Sequence, residues 1–135
     1  MLIQKRCHEK HAWPDLWDVS AGGSALAGEE SWQAAERETL EELGLKLDLK
    51  EIRPHFSVNY SRGFDDFYAV TADVDPAGLV LQQSEVAEVR WASLEEVRRM
   101  EAGHTFVPYF PGLIELIWQV RENYDGAICQ TGWLL

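Results

Sequence analysis

Gly23 to Leu45 reads GSALAGEESWQAAERETLEELGL, and the spacing of its glycines and charged residues decides how the chain is read. Gly23 is followed after five residues by Glu29, and after seven more by Arg37-Glu38. Glu41-Glu42, Gly44 and Leu45 come next. From Ser31 to Leu43 the segment is rich in Ala, Glu, Gln and Leu and holds neither Pro nor Gly. It predicts a helix with Ser31 as N-cap. Gly44 falls where a helix takes its C-terminal stop. On that helix Glu38, Glu41 and Glu42 are related by i, i+3 and i+4, so their carboxylates share one face. Trp32, Thr39, Leu40 and Leu43 lie roughly opposite, as the buried stripe.

Three carboxylates on one face repel one another unless a cation lies between them. Oxygen-only ligands suit a hard ion, Mg²⁺ or Mn²⁺, rather than zinc. Such an ion is commonly shared between carboxylates and substrate phosphates. There it neutralises phosphate charge and lowers the pKa of a bound water, which is what hydrolysis of a phosphoanhydride needs. A run of Glu along a helix is more often a solvated face. That blander alternative leaves Gly23, Glu29, Arg37 and Gly44 unexplained at their fixed offsets from the acids.

The full pattern is Gly, five residues, Glu, seven residues, Arg-Glu, a bulky residue, any residue, Glu-Glu, any residue, Gly, aliphatic. It resembles the Nudix box, and only Thr39 departs, where a bulky aliphatic is usual. Resemblance to the Nudix (MutT-like) hydrolases implies an α/β fold, the α/β/α sandwich with a central mixed sheet. It also implies a Mg²⁺- or Mn²⁺-dependent hydrolase of a small phosphorylated substrate, cleaving a nucleoside diphosphate from another linked group. Carried over residue by residue, it makes Glu38, Glu41 and Glu42 metal ligands. Glu41 or Glu42 would help to deprotonate water, and the Gly22 carbonyl would be a further ligand. Arg37 would pair with Glu29 and hold the loop against the helix, and Gly23 would permit the tight loop. Many Nudix enzymes place another ligand or base on a later loop. Glu85 is favoured for it over Glu88, which alternates with Val89 and reads as solvent-facing.

LIQKR at 2–6, WDVSAGG at 17–23, GFDDFYAV at 63–70 and EVAEVRWASLEEV at 85–97 extend the resemblance beyond the box. They are similar to Nudix hydrolases related to isopentenyl-diphosphate isomerase. The isomerases carry a catalytic Cys where this chain has Gly22 and a His where it has Ser24. Their box is degenerate at the positions of Glu38 and Glu41, whereas both acids are present here. Protonating an alkene needs an acid that Gly cannot provide. A hydrolase is therefore expected over an isomerase. The remaining alternative is a nucleotide-binding or regulatory domain that kept the fold and lost catalysis, although such domains usually lose box acids.

With 135 residues, the chain is read as one domain over 1–135. A net charge of −11 argues against a nucleic-acid surface. Divalent metal can still bring polyphosphates to an acidic protein. No apolar run approaches the roughly 20 residues of a membrane span, and no signal peptide is read at the start. Cys7 and Cys129 fit a reduced cytoplasmic pair better than a disulfide. His8 and His11 read as loop residues rather than a metal pair.

Strands are predicted at Leu2–Arg6, Trp17–Ser20, Glu51–Tyr60, Phe64–Val74 and Glu85–Trp91. Ser93 to Glu96 is a capping box opening a helix to about Met100, and Gly112–Asn123 has helical spacing. Lys5 and Arg6 are the basic residues nearest the expected phosphates, unless they are surface charge. Phe56 and Tyr60, with Phe64 and Tyr68, would either stack a base or serve as core and cross-strand partners. Related proteins carry a further stretch before LIQKR, so either the true start lies upstream of Met1 or part of the first strand has been lost. The sheet edge such a loss leaves would be covered by a second subunit, which makes a homodimer the expectation.

Overall fold

The computed structural model describes residues 1–50 and 52–121. In chain order the elements are β1 (Leu2–Arg6), β2 (Trp17–Val19), α1 (Ser31–Leu43), β3 (Phe56–Tyr60) and β4 (Gly63–Phe67). A 3₁₀ turn at Pro76–Gly78 follows, then β5 (Val86–Trp91), α2 (Leu94–Ala102) and α3 (Leu113–Val120).

β1 is the middle strand of the main sheet, antiparallel to β2 on one side and β5 on the other. Successive side chains of a strand point to opposite faces, and β1 uses both. Leu2 packs with Leu43 of α1 and Val86 of β5. Ile3 packs with Val97 of α2, Phe106 and Ile114 of α3. The sheet therefore lies between α1 and the α2–α3 pair, as the expected sandwich requires. Its mixed character comes from a parallel bridge between Trp17 and Phe106. The Trp17 N–H donates to Thr105 O at 2.9 Å, and the Val107 N–H to Trp17 O at 2.8 Å. Because β1 is paired on both sides, no sheet edge opens along it.

Several elements differ from the sequence reading. α1 spans the expected residues, but Glu30 rather than Ser31 is its N-cap. The Glu30 N–H donates to Gln33 Oε1 at 2.9 Å, while the Ser31 hydroxyl pairs with that of Tyr68 at 2.7 Å. The buried stripe of α1 is Ala34, Thr39, Glu42 and Leu43. Leu40 is 51% exposed, and Glu42 turns in toward β1 instead. The strands expected at 51–60 and 64–74 shorten to the hairpin β3–β4, which forms a separate sheet. Pro54 has no N–H for a ladder. Just beyond, the Ala69 N–H donates to the His55 ring at 3.2 Å instead of to a backbone carbonyl. Glu51 lies outside the described residues, as do Cys129 and the expected end of α3 at Asn123.

The Ser93 capping box is present, and α2 runs two residues past Met100. The Cys7 thiol is free and buried, and it donates to Ser84 O at 2.8 Å. No helix among the described residues is long and apolar enough to cross a membrane.

Gly44 ends α1 in the left-handed region, with φ +66°, and its N–H returns to Leu40 O at 2.9 Å. A Cβ there would also stand 2.9 Å from Val80 Cβ. Gly44→Ala is expected to destabilise the protein by about 1–2 kcal/mol from the left-handed backbone alone. Urea unfolding measures this, and an unchanged midpoint would contradict it.

Candidate active site

The loop from β2 into α1 is held by one side chain. Arg37 presents its guanidinium fork to Glu29, with Nε to Oε1 at 3.0 Å and Nη2 to Oε2 at 3.1 Å. Bidentate pairing of this kind fixes orientation as well as distance. Nη2 also donates to Ser24 O at 3.0 Å, and Nη1 to Glu38 Oε1 at 2.7 Å and Glu41 Oε2 at 3.3 Å. Glu29 further accepts the Leu26 N–H at 2.9 Å. Loop and helix are thereby tied at Arg37, the pairing that the resemblance implied.

The Arg37 hydrogen bonds, helped by the Leu26 N–H, hold the Glu29 carboxyl below its usual range. A carboxyl with a depressed folded-state pKa contributes stability above its unfolded value that is lost as pH falls through the folded value. Glu29→Gln should therefore lower the melting temperature at pH 7 and narrow its gap to wild type below pH 4.5, the ordinary Glu value. Calorimetry across pH 3–7 tests it; a constant gap would remove Glu29 as the titrating group.

Gly23 is required by contact rather than conformation. A Cβ built there would overlap the Glu38 carboxylate carbon and both its oxygens. The carboxylate of Glu38 therefore rests directly on the Gly23 backbone.

Glu42 is 4% exposed. Burial pushes its pKa up, and hydrogen bonds from Gln4 and the Gly22 backbone only partly oppose the rise. Gln4 Nε2 lies 3.2 Å from Glu42 Oε2. Gln4 Oε1 is buried with no hydrogen-bond partner among the described residues. An unsatisfied buried acceptor costs about 1–3 kcal/mol.

Glu85 stands in the turn just before β5, in an ion pair with Lys10. Lys10 is close enough to Glu42 to pull its pKa down somewhat. Glu85 and Glu42 thus share a cation that sequence reasoning missed. Its signal was only a basic residue in a loop that returns to β5, where the Cys7 N–H donates to Glu85 O at 3.0 Å. Glu88 is exposed, as read.

The substrate residues expected from sequence are placed differently. Lys5 pairs with Trp17 and Glu88 in register and, by alternation, lies on the Ile3 face, away from Gln4 and Glu42. Arg6 is engaged by Asp18 at 2.9 Å and by Ala12 O at 3.1 Å. Asp18 is 7% exposed and also accepts from the Tyr109 hydroxyl at 2.6 Å. Arg6 therefore neutralises a buried carboxylate and is not free for phosphate. Phe56 stacks on Phe67 with centroids 4.8 Å apart, so it is a cross-strand partner. Tyr60 is 53% exposed and lines a cleft of about 310 Å³ with Val58, Asp65, Phe67, Tyr109 and Phe110. His8 pairs with Asp15 at 2.6 Å on the surface, an ordinary loop contact.

Among the described residues no three His, Cys, Asp or Glu side chains converge as a ready metal-ligand set. The box acids share α1 but divide their contacts: Glu38 and Glu41 go to Arg37, and Glu42 goes to Gln4. Like charges spread to separate partners in this way. The donor set nevertheless suits a hard divalent ion. It consists of carboxylate oxygens, one of them buried without a cation in contact, beside the unpartnered amide oxygen of Gln4.

Residues 1–110 match the NUDIX domain. The chain belongs to the Nudix family. Members of this family generally use divalent metal ions and act on small nucleotide-derived substrates. An uncharacterized Nudix hydrolase of Listeria monocytogenes is 49% identical over 110 residues, 82% of this chain and 65% of that protein. The isopentenyl-diphosphate Δ-isomerase of Salmonella arizonae is 36% identical over 107 residues, covering 73% of this chain and 57% of the enzyme. The crystal structure of DR0079 from Deinococcus radiodurans has a TM-score of 0.66 and 25% identity, over 87% of this chain and 72% of that one. The chain spans 65% of the length of the Listeria relatives it matches.

Proposed function

We propose that this Nudix chain hydrolyses a phosphoanhydride bond in a nucleoside diphosphate linked to another group, with Mg²⁺ or Mn²⁺ as cofactor. The observation that carries the reading is the Arg37 clamp, which holds the Gly23 loop on Glu38 while every box acid is present. Glu38, Glu41, Glu42 and the Gly22 carbonyl would hold the ion. When bound, it supplies positive charge to the phosphates and acidifies a water.

The chain's own residues do the rest. Arg37 and Glu29 keep the loop in place against α1, while Glu38 and Glu41 would turn from Arg37 to the ion. Glu41 is the most exposed box carboxylate, with its side chain at 52%, and is the acid best able to reach a solvent-side proton. Glu85 is a second proton acceptor, and Lys10 offsets its charge and that of Glu42. The cleft beside Tyr60 and Phe110 would take the flat or apolar part of the linked group.

Isomerisation is not favoured, because Gly22 offers no acid and Ser24 stands where the isomerases carry His. The test is a panel of nucleoside triphosphates, nucleotide sugars, dinucleotides and coenzyme derivatives with Mg²⁺, Mn²⁺ or EDTA. Metal-dependent turnover of at least one substrate is expected. Binding without turnover across the panel would instead favour a silent nucleotide-binding domain.

A further inference from the structure

Gln4 is out of place by any packing criterion. It occupies the central strand of the sheet at 4% exposure, beside Leu2 and Ile3, in a position that apolar residues ordinarily fill. Leu2, two residues before it on the same face, belongs to the apolar cluster with Leu43 and Val86. The Gln4 amide is only half satisfied. Nε2 donates to Glu42 Oε2 at 3.2 Å, whereas Oε1 has no partner among the described residues. The amide orientation follows from chemistry: an ionised carboxylate only accepts, so the NH₂ end must face Glu42. An apolar side chain of similar length would fill the space without the orphaned oxygen. Residues that break a local rule of stability in this way tend to mark function.

Few other groups hold the Glu42 carboxylate. The Gly22 N–H is its other hydrogen-bond donor, and Lys10 acts only through its charge while pairing with Glu85. Glu42 lies near the C-terminal end of α1, and Gln4 reaches it from β1, an element 38 residues away in sequence. A hydrogen bond across that junction fixes the carboxylate's rotation relative to the sheet as well as to its own helix. Partners of this kind, one step behind a metal ligand, set its orientation.

We propose that Gln4 is a positioning residue that orients Glu42 for divalent-metal binding. The inference rests on the reading of Glu42 as a metal ligand. In the full chain, Gln4→Met keeps length and bulk and deletes the donor. Gln4→Asn keeps the amide but withdraws it from Glu42. Mn²⁺ binding is titrated by electron paramagnetic resonance without substrate, and the melting midpoint is measured in EDTA. Both variants are expected to bind Mn²⁺ about 10–100-fold more weakly. The metal-free midpoint of Gln4→Met shows that the variant folds; its size reflects both the removal of the orphaned Gln4 oxygen and the loss of the donor to Glu42. In a Glu42→Gln background, Gln4→Met should add no further loss, because it acts through Glu42.

Wild-type affinity in either variant overturns the inference, as does an additive loss in the double variant. Failure of the wild-type protein to bind Mn²⁺ would overturn the metal reading itself. Tight wild-type binding with unaltered variants would overturn only the role of Gln4.

Discussion

Glu42→Gln is expected to lower turnover by roughly 10²–10⁴-fold, the range for losing an acid–base or charge-bearing catalytic group, while raising the melting temperature of the metal-free protein. The two effects share one cause. Glu42 is 4% exposed, and burial dominates its raised pKa over the hydrogen bonds from Gln4 and Gly22. A buried carboxylate whose partners do not repay its desolvation destabilises the fold at neutral pH. Glutamine has the same shape, keeps an oxygen for Gln4 Nε2 and carries no charge. It thus removes the penalty together with the metal-binding group. Turnover in Mg²⁺ and calorimetry in EDTA measure both halves. Lost activity with a lowered melting temperature would make Glu42 a structural prop, and undiminished activity would take it out of the site.

What the sequence made legible was local. Helix α1 was readable because its bounds depend on composition and on a glycine that accepts φ +66°. The Arg37–Glu29 pair was readable because the box fixes both positions at a constant spacing. Less legible were features that depend on what lies across the sheet. Glu38, Glu41 and Glu42 share a face by helical periodicity, yet only Glu42 is buried, because Gln4 of β1 meets it there. Lys5 and Arg6 looked equivalent as neighbouring cations. Strand alternation turns Lys5 away, and Asp18 of the adjacent strand claims Arg6. Lys10, the cation beside Glu85, is 75 residues from its partner. The strands around residues 51–74 were overestimated because alternation continues past the point where Pro54 and the His55 ring end the ladder.

Gly23→Ala is expected to leave the fold intact and lower activity about a hundredfold, the scale on which a misplacement of about 1 Å acts on a catalytic group. The added methyl would overlap the carboxylate of Glu38, the far end of a flexible side chain, rather than any backbone atom. The clash is relieved by rotating Glu38 away, which spares the core. Gly23 is not among the glycines with positive φ, so alanine meets no backbone strain either. Arg37 keeps its two bonds to Glu29 when Glu38 moves, and the loop stays docked. The displaced group is a box carboxylate whose position against the loop is set by that glycine together with the Arg37 Nη1 bond. Gly78→Ala, where a new Cβ meets nothing within 4 Å, is the matched control for the substitution itself. The comparison needs kcat/KM in Mg²⁺ and a thermal melt for each variant. A large drop in the Gly23→Ala melting temperature would mean that the loop, not the carboxylate, had given way. Full activity would show that Glu38 functions from a position other than the one it holds against Gly23.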